Sequence, residues 1–154
     1  MEITYIGHSC FRIKGKELTI VIDPYDPKIG YKLPKLEADL LLTTHDHFDH
    51  HNIAGVSGYK LLIDGPGEYE VNGAFIYGIS TFHDDKKGGE RGSQTIYVID
   101  IDGFTLMHLG DLRNSTTLTM ASLSSKRAPS TDFSACSSCG GTCAPCCVTR
   151  TLPF

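Results

Sequence analysis

The chain of 154 residues has no tryptophan, and none of its apolar runs approaches the roughly 18–20 residues that span a membrane. Its first ten residues lack the basic region and apolar stretch of a signal peptide, so we expect a cytoplasmic protein with no membrane partner. Basic residues are scarce too: 14 Lys and Arg stand against 18 Asp and Glu, a formal charge of −4. This balance argues against a nucleic-acid partner.

Composition changes near Leu112. Residues 1–112 contain all seven His, and their 10 basic and 17 acidic residues give a formal charge of −7. Residues 113–154 contain no His, five of the six Cys and 15 Ser or Thr. We therefore predict a domain over 1–112 and, over 113–154, a Ser/Thr/Cys-rich tail outside its core.

The tail has three interpretations. Cys136, Cys139, Cys143 and Cys146 could form a metal knuckle, but three residues between the two Cys pairs are too few for a zinc ribbon. A low-complexity disordered tail is the second. The third is a frameshift near Leu112, because Cys codons read one base earlier encode Leu, Val or Met. We predict that the tail is disordered or derived from a frameshift.

Short β-forming runs separated by turn residues indicate an α/β fold rich in strands. The run 39–44 is almost continuously apolar, which predicts a strand covered on both faces. Asp102-Gly103 predicts a hairpin. A short helix is expected over 52–55, and 64–70 has the composition of a turn. The predicted strands are 3–6, 10–13, 18–22, 39–44, 60–63, 74–79, 95–99 and 104–108.

Four His and two Asp lie within residues 45–51, directly after the apolar run. On an extended backbone, His45 and His47 point to the same side and can bind one cation. Asp49 and His50 follow where the chain turns, and can offer an oxygen and a nitrogen to a second cation. Imidazole and carboxylate without thiolate suit Zn²⁺, and also Fe or Mn. A solvated polar loop is the alternative; an expression tag would be terminal and mostly uninterrupted His.

The pattern His-x-His-x-Asp-His after an apolar strand resembles the signature of the metallo-β-lactamase superfamily. Three features outside this pattern also match the superfamily, in the same order along the chain. They are Asp23 in Ile-Asp-Pro, the isolated His83, and Asp111 in Leu-Gly-Asp. The segments Tyr-Ile-Gly-His-Ser-Cys-Phe and Arg-Gly-Ser resemble the branch that contains ascorbate-6-phosphate lactonase-like hydrolases. The resemblance covers residues 1–112.

This resemblance implies an αββα sandwich, of which residues 1–112 supply the first half and part of the second. We therefore expect the fold to be incomplete, with a partial domain over 1–112. The superfamily also takes a late His for its second metal, and no His follows His108. The implied ligands are His45, His47 and His83 for the first metal, Asp49 and His50 for the second, and Asp111 as a bridge.

The implied activity is that of a metal-dependent hydrolase, with zinc the expected metal at two sites. A metal-bound water would attack an ester, lactone or phosphoester bond of a small-molecule substrate. Asp49 is the catalytic candidate, since it is placed to orient that water or pass its proton to the leaving group. Three roles remain open for His8: it supports a metal ligand, faces the substrate, or is a hydrogen-bonded structural residue. His51 and His108 are expected to be structural.

The alternative function is a metal-binding but catalytically inactive fragment of such a hydrolase. A nucleic-acid-processing member would carry a basic groove, which the charge of −7 over 1–112 does not favour. The sequence carries no signal for an oligomeric state.

Overall fold

The computed structural model describes residues 1–112, and the predicted tail with its three interpretations lies outside them. The described residues belong to one compact unit. They form eleven strands, and two single-turn 3-10 helices at Pro27–Ile29 and Ile53–Gly55. The strands are β1 (Glu2–Gly7), β2 (Cys10–Lys14), β3 (Thr19–Ile22), β4 (Leu36–Glu37), β5 (Leu40–Leu42), β6 (Val56–Ser57), β7 (Leu61–Ile63), β8 (Gly67–Val71), β9 (Ala74–Phe82), β10 (Ser93–Ile101) and β11 (Phe104–His108).

Each of the eight predicted runs overlaps a strand, and the helix expected over 52–55 is the 3-10 turn Ile53–Gly55. The interpretation of 64–70 as a turn is wrong in its second half, where β8 begins at Gly67. Gly and Glu are uncommon in strands, but the backbone of β8 pairs with β9 along its whole length. Tertiary pairing therefore outweighs composition there. The two-residue strands β4 and β6 also had no sequence signal.

Three sheets result. The first has the order β1-β2-β3-β5-β7, antiparallel from β1 to β3 and parallel from β3 to β7. The second is antiparallel with the order β11-β10-β9-β8, and β4 pairs with β6 in a small parallel sheet. The predicted hairpin forms between β10 and β11, where Asp102 and Gly103 both have positive φ, as its tight turn requires.

The first two sheets pack face to face through one apolar core. Ile20, Ile22 and Leu42 contribute from the first sheet, and Ile76 and Ile99 from the second. Strands alternate their side chains between faces, so other residues of the first sheet point away from this core. These include Val21 and Leu41, which pack with Tyr25, Leu33 and Leu36 in a second core.

Strand β5 is therefore buried on both faces, as its continuous apolar run predicts. The described part is sheet-rich, and neither of its helices exceeds three residues. Within residues 1–112, no helix is long and apolar enough to cross a bilayer.

The polar residues of interest follow the ends of several strands. Asp23 follows β3, His45 comes three residues after β5, and His83 follows β9. His108 is the last residue of β11, and His8 lies in the turn between β1 and β2. The packing of the two sheets brings these strand ends together.

Candidate metal centre

His45 and His47 lie in a bend after β5, so the expected extended backbone is wrong here. The amide N–H of His47 donates to the carbonyl of His45 at 3.1 Å, which folds the chain tightly between them. Their ring centroids nevertheless lie 4.4 Å apart. The two imidazoles meet as predicted, through a turn instead of a shared strand face.

His83 joins these two residues from the end of β9. One ring nitrogen from each of His45, His47 and His83 lies within 4.8 Å of the others, which we call the first group. His83 is fully buried, and its ring centroid lies 4.7 Å from that of His45 and 5.2 Å from that of His47. The structure thus brings together the three residues predicted for the first metal.

The other predicted residues lie beside this group. His50 is fully buried, with Nε2 3.8 Å from Asp49 Oδ2 and 3.4 Å from Asp111 Oδ1. The other oxygen of Asp111, Oδ2, lies 3.5 Å from His83 Nε2. One carboxylate oxygen of Asp111 therefore faces each side, which is the placement expected of a bridging residue.

The buried imidazoles leave several polar atoms without hydrogen bonds. Within residues 1–112, Nε2 of His45, Nε2 of His50 and both ring nitrogens of His83 are buried and have no such partner. A buried polar atom without a partner is costly, and binding a ligand removes that cost. These nitrogens and the nearby carboxylates fit a divalent cation of the Zn²⁺, Fe or Mn type.

Asp23 organises the centre, although its sequence motif indicated no specific role for it. It is completely buried, and its Oδ2 lies 2.9 Å from both His50 Nδ1 and His108 Nε2. Its Oδ1 accepts the amide N–H of Thr44 at 2.7 Å. Burial opposes ionisation of this carboxyl, but the hydrogen bonds with His108 and His50 outweigh it and lower its pKa to about 2.

Hydrogen bonds to Asp23 also select the histidine tautomers. The carboxylate of Asp23 accepts from His50 Nδ1, so neutral His50 keeps a lone pair on Nε2. The Thr44 hydroxyl donates its one hydrogen to Asp23 at 2.8 Å and therefore accepts from His45 Nδ1 at 2.9 Å. Neutral His45 likewise keeps its lone pair on Nε2. Both residues are oriented as metal ligands usually are.

The charge states at neutral pH support ligand roles. Burial, together with the nearby His50, His47 and His83, lowers the pKa of His45 to about 4, so its ring is neutral. Burial also raises the pKa of Asp49, but its backbone hydrogen bond and the neighbouring His50 and His8 give a net decrease. Asp49 is therefore a carboxylate.

The pKa of His50 is shifted in the opposite direction. Burial lowers it, but the hydrogen bond and charge of Asp23, with Asp111 and Asp49, give a net increase. Protonation of His50 therefore competes with any cation for the Nε2 lone pair.

The remaining histidines occupy different surroundings. His108, predicted to be structural, contacts Asp23 from the second sheet through its Nε2 and packs edge-on against Phe11. His51 lies 3.1 Å from Asp46, whose side chain is almost fully exposed. His8 lies at the open side of the centre, 3.2 Å from Asp49 Oδ2.

The charged, Gly-rich loop after His83 is organised by Asp84. One oxygen of its carboxylate accepts the N–H groups of Lys86 and Gly88, and the other accepts those of Glu90 and Arg91, all between 2.7 and 2.9 Å. The loop closes with the His83 N–H donating to the carbonyl of Gly92. The bonds from Arg91 and the other amides lower the pKa of Asp84 to about 2, against the opposing effect of burial.

The sequence profile of a family described as the beta-lactamase superfamily domain matches residues 2–126. The chain belongs to the metallo-β-lactamase superfamily. Among similar curated proteins, a UPF0173 metal-dependent hydrolase of Thermococcus kodakarensis is 30% identical over 72% of this chain and 61% of its own length. A UPF0173 metal-dependent hydrolase of Thermoplasma volcanium is 31% identical over 72% of this chain and 60% of its own length. The chain thus spans about three fifths of the length of these superfamily relatives.

One solved structure of the superfamily gives the same result, and a second solved structure shares the fold. One from Thermotoga maritima, described as a Zn-dependent hydrolase, is 36% identical with a TM-score of 0.58, covering 77% of this chain and 55% of that one. CmlA of Streptomyces venezuelae, a diiron β-hydroxylase, shares the fold at 18% identity and a TM-score of 0.55. The match covers 79% of this chain and 31% of CmlA.

Proposed function

We propose that this chain forms the two-cation centre of a hydrolase that cleaves an ester, lactone or phosphoester bond of a small molecule. The observation that carries the proposal is the position of Asp111. Its two oxygens lie 3.4 Å from His50 Nε2 and 3.5 Å from His83 Nε2, two buried nitrogens without hydrogen-bond partners within residues 1–112. His45, His47 and His83 would hold the first cation, Asp49 and His50 the second, and Asp111 both.

The bound cations would supply an acidified water and positive charge that stabilises a developing oxyanion. The remaining chemistry belongs to the protein. Asp49 is ionised and partly exposed, so it can accept a proton from water or orient it, and afterwards pass the proton to a leaving group. Asp23 and Thr44 keep His45 and His50 in the tautomers that point Nε2 inward.

We propose zinc as the metal, because the donor set is nitrogen and oxygen without thiolate and a relative is described as Zn-dependent. Iron and manganese suit the same donors, and CmlA, of the same fold, is a diiron enzyme. Elemental analysis of the purified chain distinguishes these metals.

The test uses the whole 154-residue chain and a double variant, His45→Ala with His47→Ala. We expect the wild type to bind cations stoichiometrically and to hydrolyse a generic phosphodiester or lactone. The double variant should lose the first cation and the activity. His51→Ala is the matched control, because His51 belongs to none of the described groups of candidate ligands. Stoichiometric metal retained by the double variant would refute the proposed centre.

The second candidate is a metal-binding but inactive fragment, favoured by the lack of any His after His108. Its signature is stoichiometric metal without turnover. A version in which the sequence after residue 112 is translated in another frame provides the comparison. Gain of activity in that version, with unchanged metal content, would identify the present chain as inactive.

Several finer predictions accompany the proposal. The αββα sandwich with its incomplete second half, the ascorbate-6-phosphate lactonase-like branch and a cytoplasmic location follow from sequence resemblance and composition. The charge of −7 over 1–112 supports a small-molecule substrate over nucleic acid. Binding assays with labelled RNA and DNA test that preference directly.

A further inference from the structure

His8 occupies an unusual backbone position. Strands β1 and β2 are joined by a two-residue turn, His8-Ser9, between the paired residues Gly7 and Cys10. His8 has a φ of 50°. Positive φ at the first central residue of such a hairpin normally selects Gly, Asn or Asp. A larger side chain in this conformation is strained, and such strain is concentrated at functional sites.

The turn delivers the imidazole of His8 to the second side of the metal centre. Its Nε2 lies 3.2 Å from Asp49 Oδ2, and its ring centroid lies 4.9 Å from that of His50. One ligand atom from each of His8, Asp49 and His50 lies within 4.8 Å of the others, which we call the second group. Within this group, His8 comes from a distant part of the sequence, 41 positions from Asp49.

The distances in the second group match those between ligands of one ion. Two atoms that each lie about 2.1 Å from a tetrahedral cation are about 3.4 Å apart. Asp49 Oδ2 lies 3.2 Å from His8 Nε2 and 3.8 Å from His50 Nε2. Nδ1 of His50 is occupied by Asp23, so Nε2 is the nitrogen that it can offer.

We propose that His8 is a direct ligand of the second cation, together with Asp49 and His50. The inference rests on the proposed two-cation centre and adds to it a ligand from the first hairpin. Anchoring the hairpin would also explain why His, instead of Gly, occupies the strained turn position.

The competing role is a hydrogen bond from His8 to Asp49 without ligation, and two substitutions of equal size separate the roles. Gln at position 8 retains an N–H donor for Asp49 but is a poor ligand. Glu at position 8 offers a ligating oxygen but has no proton to donate to Asp49 at neutral pH. Both place a similar side chain on the same strained backbone, so a purely structural defect affects them alike.

The experiment strips the full 154-residue chain with a chelator and titrates it with Co²⁺, followed by visible absorption and calorimetry. We expect two cations in the wild type and in His8→Glu. In His8→Gln we expect the second cation to bind at least tenfold more weakly, with the first unchanged. His51→Gln is the matched control, and it should bind both cations as the wild type does.

Wild-type affinity for the second cation in His8→Gln would overturn the proposal, as would weaker binding in His8→Glu than in His8→Gln. A wild type that binds one cation only would overturn it too. Two cations with the expected pattern but no hydrolysis would refute the proposed function and leave the role of His8 intact.

A measurement on the wild type does not depend on whether the variants fold. In the chain with ¹⁵N-labelled histidine, the Nε2 resonance of His8 should move to the position of a metal-bound imidazole when the second equivalent of Zn²⁺ is added. An Nε2 signal that stays at its metal-free position would contradict direct ligation.

Discussion

The replacement Asp23→Asn tests how the centre is organised. The carboxylate is fully buried, and Oδ2 serves three donors: the Thr44 hydroxyl, His50 Nδ1 and His108 Nε2. An amide of the same shape cannot accept three bonds at that position if its NH₂ group lies there. His50 must then accept at Nδ1 and carry its proton on Nε2, where it blocks a cation.

The magnitude of the stability loss follows from the ionisation of Asp23. The pKa falls from 3.8 to about 2 in the folded chain, which corresponds to about 2 kcal/mol of stability at neutral pH. Because the folded pKa is the lower one, this stabilisation is complete above about pH 4 and is lost as the pH falls towards 2. Asparagine imitates the protonated group, so we expect the metal-free variant to be about 2 kcal/mol less stable.

Metal binding should weaken as well. Removing a carboxylate that orients a metal-binding imidazole commonly reduces affinity by about 10- to 100-fold, and we expect that range for Asp23→Asn. Urea unfolding of the metal-free chain measures the first effect, and competition with a chromophoric chelator measures the second.

Asp46→Asn is the matched control for Asp23→Asn, because Asp46 is also close to the histidine cluster but its side chain is 92% exposed. It should change stability by less than about 0.5 kcal/mol. Binding of Zn²⁺ to Asp23→Asn as tightly as to the wild type would show that Asp23 does not orient the ligands.

Three further predictions concern the same centre and the loop that follows His83. Thr44→Val should lower the affinity for Zn²⁺, because the hydroxyl that fixes His45 is lost. Thr43→Val is the control and should leave this affinity unchanged. The Thr43 hydroxyl is buried and has no hydrogen-bond partner within the described residues. Asp84→Ala should accelerate hydrogen exchange of the amides in 86–91, four of which bond to this carboxylate, and Asp85→Ala should not. Adding Zn²⁺ to the stripped chain at about 1,000 times its Kd should stabilise it by about 4 kcal/mol, measured as a rise in Tm.

Each of these has an opposing result. Equal affinities in Thr44→Val and Thr43→Val would show that the hydroxyl does not select the tautomer of His45. Unchanged exchange in Asp84→Ala would show that the loop is ordered by other contacts. A Tm that is independent of Zn²⁺ would show that the buried nitrogens do not bind it in the folded state.

Local structure was largely predictable from the sequence. The hairpin at Asp102-Gly103 and the doubly buried strand β5 follow from turn chemistry and an apolar run, both of which act over a few residues. The strand β8 was not predictable in this way, because its Gly and Glu residues disfavour a strand until β9 supplies a pairing partner. The candidate ligands from His45 to His50 were also predicted as a cluster, because they lie within six residues of one another.

The superfamily resemblance already pointed to His83 and Asp111, but only the tertiary structure decided which residues Asp23, His108 and His8 contact. Asp23 meets His50 across 27 positions and His108 across 85, and His8 meets Asp49 across 41. Sequence spacing fixes which side chains share a face over a few residues, but it does not specify which strand ends become neighbours. Sheet order and the packing of the two sheets bring those strand ends together, so the candidate ligand residues were visible in the sequence and the contacts of Asp23, His108 and His8 were not.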